Sequence, residues 1–211
     1  MSNTNETTDM ATKTSRLLRR GFALEWATLG WNVVGIVVLA AAAVAARSVA
    51  LAGFGLDSLI EIGASIAVIW ELSDTGGARR RRALRLIGIA FAALAGYLVL
   101  QSTVALIAGL RPDRSPAGIA WTAITALVMF SLAAGKARTG AVLANPVLRT
   151  EARVTTIDGI LAVAVLAGLV LNSVLGWWWA DPLAGYILAL YAIRETRQSL
   201  KAARTLESAS K

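Results

Sequence analysis

The sequence predicts an all-α, polytopic membrane protein with six transmembrane helices and both termini cytoplasmic. Three observations predict it. The 211 residues are 56% hydrophobic and only 16% charged, whereas soluble domains carry roughly a quarter charged residues. The mean hydropathy is +0.62, so much of the surface must face something other than water. The apolar residues also fall into six runs, each near the roughly 20 residues that cross a bilayer.

The runs cover about 22–46, 48–71, 84–110, 116–138, 150–175 and 178–196. A tight turn at Arg47-Ser48 joins the first two. The second and third are separated by Ser73-Asp74-Thr75-Gly76-Gly77 and then by Arg79, Arg80, Arg81 and Arg82. Pro112 and Pro116 mark the third connection, and Asn145-Pro146 the fourth. Asp181-Pro182 opens the last run, in a first turn where proline is tolerated and aspartate caps the helix. The polar stretch 1–20 is expected to be a disordered cytoplasmic tail, 21–200 the membrane domain, and 201–211 a second cytoplasmic tail. Arg19-Arg20 before an apolar run resembles a signal peptide, but that run is too long for one and contains Glu25.

Charge sets the orientation. Eighteen Lys and Arg fall in the N-terminal tail, the second and fourth connections (Lys136, Arg138, Arg149 and Arg153 in the latter) and the C-terminal end. Only Arg47, Arg111 and Arg114 fall on the other side. Positive residues are retained in the cytoplasm, so that side is inside. Trp177, Trp178 and Trp179 then form an aromatic anchor at the outer interface. The same distribution argues against nucleic-acid binding, because the net charge of +8 sits at the edges of apolar runs. The four-Arg stretch is read as topology and lipid contact.

Carboxylates inside hydrocarbon cost a few kcal/mol each, so they mark function. Asp57 and Glu61 lie in the second run at i, i+4, one turn apart on one helix face. Their repulsion becomes ligation if a cation binds between them. Asp158 lies deep in the fifth run, with Glu151 and Asn172 on the same face. Glu25 and Asn32 share a face of the first run. Glu71 and Glu195, near arginines at inner helix ends, read as solvated. With no His and no Cys, thiolate and imidazole ligands are excluded.

The stretch from Ser48 through Ala50-Leu51 to Asp57 and Glu61 resembles the second-helix motif of cation diffusion facilitators. Asp158 matches the Asp of that family's fifth-helix motif, in which a His stands four residues earlier; that position is Val154 here. Asn32 matches a common first-helix Asn, and Asp181-Pro182 a sixth-helix Asp-Pro. The chain is similar to a short branch without the cytoplasmic C-terminal domain, like the vesicular zinc-transporter-like membrane proteins. The resemblance implies a homodimer in the cell membrane that exports a divalent cation in exchange for protons by alternating access. It also implies a metal site of Asp57, Glu61 and Asp158, with Glu25, Asn32 or Glu151 as accessories. Zn²⁺ is the family's ion, while all-oxygen ligation suits harder ions such as Mn²⁺ or Mg²⁺. No tightly bound cofactor is expected beside the transported ion. Two other readings compete: a non-transporting homologue acting as a membrane partner protein, and an intramembrane enzyme. The second lacks a substrate-orienting motif beside the carboxylate pair.

The absence of cysteine makes the topology directly testable. Arg114→Cys on intact cells should react with a membrane-impermeant maleimide. Thr75→Cys and Ser210→Cys should react only after permeabilisation; the reverse pattern would invert the orientation.

Overall fold

A computed structural model describes the backbone of residues 2–72, 77–143 and 146–208. It describes their side chains except at 2–14, 18, 61, 64–72, 77–81, 83, 146–147, 149–151 and 206–208. The described residues form six helices and no strand: α1 (Ser2–Ala46), α2 (Val49–Leu72), α3 (Gly77–Ile107), α4 (Pro116–Val142), α5 (Pro146–Leu175) and α6 (Ala180–Ser208). The order and number match the six apolar runs.

Among the described residues, four helices hold segments long and apolar enough to cross a bilayer unaided: Ser15–Ala46, Leu84–Ile107, Pro116–Val142 and Ala152–Leu175. Among the described residues of α2, the apolar stretch is Val49–Ile60, and α6 carries Arg194, Glu195 and Arg197. These two helices pack against each other, and both also pack on α3 and α5. Asp57 of α2 is buried among these neighbours, whereas Arg194 and Arg197 of α6 are exposed. Outward-facing Val37, Val44, Leu127 and Leu190 are each more than two thirds exposed, as lipid-facing side chains should be.

The helices overrun the apolar segments. Helix α1 continues back to Ser2 where disorder is expected, and α6 runs on to Ser208, past the 201 boundary. Hydrophobicity marks only the part that crosses lipid. Once a membrane helix exists, propagation into polar flanks needs no new nucleus.

The core is built from small residues and leucines: Leu39, Ala43, Ala50, Leu51, Leu98, Ala162, Val165, Leu188 and Ala192 are all buried. Close approach shows at Gly185 of α6, where a Cβ would come 2.5 Å from Ser102 Oγ of α3. Small residues let backbones meet where no hydrophobic effect drives helices together.

Three connections meet at the end of the bundle opposite the termini. Arg47 closes the α1–α2 turn in the left-handed region, with φ at 51°. The amide of Asp113 donates to Ala46 O at 2.8 Å, and Asn172 Nδ2 donates to Pro112 O at 3.0 Å. Ser115 caps α4 by accepting from Gly118 N, with Pro116 in the first turn. Trp177 and Trp179 stack at a centroid distance of 5.1 Å, each about two fifths exposed.

Asp181 does something the sequence reading misassigns. It lies in the first turn of α6, yet its carboxylate caps α2. Ser48 Oγ donates to Oδ1, and the amides of Val49 and Ala50 donate to Oδ2 at 2.9 and 3.4 Å. Ser48 Oγ in turn accepts from Leu51 N at 3.1 Å. An anion at a helix N-terminus satisfies orphan amides and complements the helix dipole. The two helix starts are therefore pinned side by side.

Asp181→Ala strands buried donors and should lower unfolding stability in detergent by about 3 kcal/mol. Asp181→Asn keeps an acceptor oxygen and should lose less. A thermal melt equal to wild type for both would dismiss the shared cap.

Candidate metal centre

Asp57 stands on the buried stripe of α2, with Ala50 and Phe54 above it. It is 2% exposed, and its Oδ1 has no hydrogen-bond partner among the described residues. A buried oxygen in that state loses its hydration without return. Asp158, 6% exposed, stands on the inner face of α5 between Thr155 and Ala162. Helices α2 and α5 pack against each other. Two of the three expected ligands are thus buried on packed helices.

The side chain of the third, Glu61, lies outside the described side chains, as do those of Glu151 and Glu71. The helical backbone keeps Glu61 one turn from Asp57, toward the end of the bundle that carries the termini. Among the described residues, no group of three His, Cys, Asp or Glu closes to ligand distance. Val154, at the position of the motif's His, is 36% exposed, while the neighbouring Thr155 is buried. Asn32 is half-buried on α1. Asn172 is occupied at the opposite end of the bundle by its bond to Pro112.

Lys136 corrects the charge tally. It is not in a connection but inside α4, fully buried. Its Nζ donates to Glu25 Oε2 of α1 at 2.9 Å and to Thr155 Oγ1 of α5 at 3.1 Å. Glu25, an expected accessory, is therefore engaged in an ion pair. The remaining asymmetry of Lys and Arg stays strong. Lys136 follows Met129 and Ala133 on the buried stripe of α4, so helical periodicity could have located it. Glu195 likewise follows Leu188 and Ala192 on the buried stripe of α6 and is half-buried rather than solvated.

The family model for the cation efflux transmembrane domain matches residues 85–206, more than half of the chain. The chain belongs to the cation efflux family. Members are cation transporters rather than enzymes, in keeping with the polytopic membrane fold. The matched segment holds Asp158, Asp181 and Glu195 of this cation efflux protein. Asp57 and Glu61 precede it, and their assignment rests on their own geometry. No curated protein matches the chain.

Removing one partner of a buried pair strands the other charge. Lys136 is fully buried, but the Glu25 side chain is 38% exposed and can reach water. Glu25→Gln should therefore destabilise by about 3 kcal/mol, more than Lys136→Met. The double variant should recover part of the loss in a detergent melt.

Proposed function

We propose that this protein exports a divalent cation in exchange for protons by alternating access, with Asp57, Glu61 and Asp158 as the carrying site. The observation that carries the reading is Asp57. Its Oδ1 is buried and without a hydrogen-bond partner among the described residues, and a second buried carboxylate, Asp158, stands on helix α5, which packs against α2. Two such groups repel one another unless a cation or a proton is shared. Alternate occupancy by metal and protons meets that need in both halves of a transport cycle. Metal binds the deprotonated carboxylates and displaces their protons; its departure lets protons return.

The chain has no histidine, so the carboxylates carry all of the coupling. Zn²⁺ is the first ion to test, on family resemblance, and Mn²⁺ the second, because the ligands are all oxygen. The proposed setting is a homodimer in the cell membrane with both termini in the cytoplasm. Glu25, through Lys136, supports the α1–α4–α5 packing beside the path, with Asn32 and Glu151 as accessory polar groups.

Purified protein in proteoliposomes should accumulate Zn²⁺ or Mn²⁺ when a pH gradient is applied, and collapsing the gradient should stop it. Asp57→Asn and Asp158→Asn should each reduce the flux more than tenfold. Equal, gradient-insensitive flux in wild type and Asp57→Asn would sink the antiport reading.

A further inference from the structure

The shared cap at Asp181 gives α2 and α6 a common starting level, so depths along the two helices can be compared directly. At about 1.5 Å per residue, Asp57 lies about 12 Å below the start of α2, and Glu195 about 22 Å below the start of α6. Glu61, on the same scale, lies about 18 Å down. Of these three carboxylates, Glu195 lies farthest toward the end that carries the chain termini.

Its orientation follows from the helix period. Ala184, Leu188, Ala192 and Ala203 form the buried stripe of α6. Glu195 stands on it, three residues past Ala192 and eight before Ala203, and is the one acidic residue between Ala184 and Ala203. It is half-buried, so it meets both the interior and the surface. Helix α6 packs on α2, which carries Asp57. The adjacent Arg194 is exposed and acts on it electrostatically. Glu195 nevertheless makes no ion pair or hydrogen bond among the described residues. A carboxylate of this kind within an apolar bundle is left available to a mobile cation.

We infer that Glu195 is a relay for the divalent cation, one step from the Asp57–Asp158 pair on the side of the chain termini. The inference rests on the cation-transport reading above and adds a residue to its path. The ion exchanges between Glu195, where hydration persists on one side, and the buried pair, where it does not. Glu195 is not a third ligand of the resting site, in keeping with the open spacing of the described carboxylates. It acts on the rate at which the ion is passed and much less on how tightly the inner site holds it.

The test compares wild type, Glu195→Gln, Glu195→Asp and Asp57→Asn, each purified and reconstituted, with Zn²⁺ as the probe and Mn²⁺ in parallel. Calorimetry reads equilibrium binding and stopped-flow reads flux. Glu195→Gln should lower flux about tenfold while the Kd shifts less than about threefold. Glu195→Asp should restore at least half of the wild-type flux. Flux of Glu195→Gln equal to wild type overturns the relay, and so does equal impairment of the Gln and Asp variants, since a relay depends on the charge. If Asp57→Asn abolishes binding while Glu195→Gln behaves as wild type, the relay fails and the transport reading stands. If wild type neither binds nor carries either ion, the transport reading itself fails.

Discussion

One carboxylate, Asp181, sets the geometry on which the site depends. It belongs to α6 and terminates the free amides of α2. A helix start buried in an apolar bundle has no water to meet those amides, so a protein acceptor is required. Because the acceptor comes from another helix, it also fixes relative height. The depth of Asp57 against every group on α6 follows from that bond. Ser48, which both caps α2 and donates to Asp181, ties the turn after α1 into the same arrangement.

The two ends of the bundle are built differently. At the end of the short connections, Asp181, Asn172–Pro112 and Asp113–Ala46 join α1, α2, α5, α6 and the α3–α4 connection through backbone groups. Toward the termini, the Lys136 cluster links α1, α4 and α5 through side chains. Backbone hydrogen bonds define geometry closely, whereas an ion pair between long side chains tolerates sliding. The carboxylates lie between these two ends. The shared cap fixes the starts of α2 and α6 side by side.

The sequence made the fold legible because lipid imposes a length and a composition on any helix that crosses it. Six runs, their order and the turn at Arg47 were all readable. Helix ends were not, because hydropathy reports the lipid boundary rather than the backbone hydrogen bonds. The buried Asp57 and Asp158 were readable as charges in apolar runs. Lys136 and Glu195 were misplaced for one reason: each stands near the end of an apolar run among other charges, where position suggests water. Which face a residue occupies decides its surroundings there, and face follows from the 3.6-residue period. Asp181 was misread because a first-turn aspartate ordinarily caps its own helix, and only packing reveals a neighbour's amides within reach.

Trp31 of α1 stacks on Trp121 of α4 with centroids 4.8 Å apart and planes 9° from parallel. The indole N–H of Trp31 donates to Thr125 Oγ1 at 3.1 Å, which holds one ring in register. Gly35 gives the other room, as a Cβ there would lie 3.6 Å from Trp121. Two indoles this close couple their excited states, and the coupling falls steeply with separation and tilt. The pair bridges α1 and α4, the same helices that Glu25 and Lys136 join nearer the termini. The protein therefore carries a native chromophore dimer across the α1–α4 seam. Its near-ultraviolet circular dichroism reports the spacing of α1 and α4 without any label.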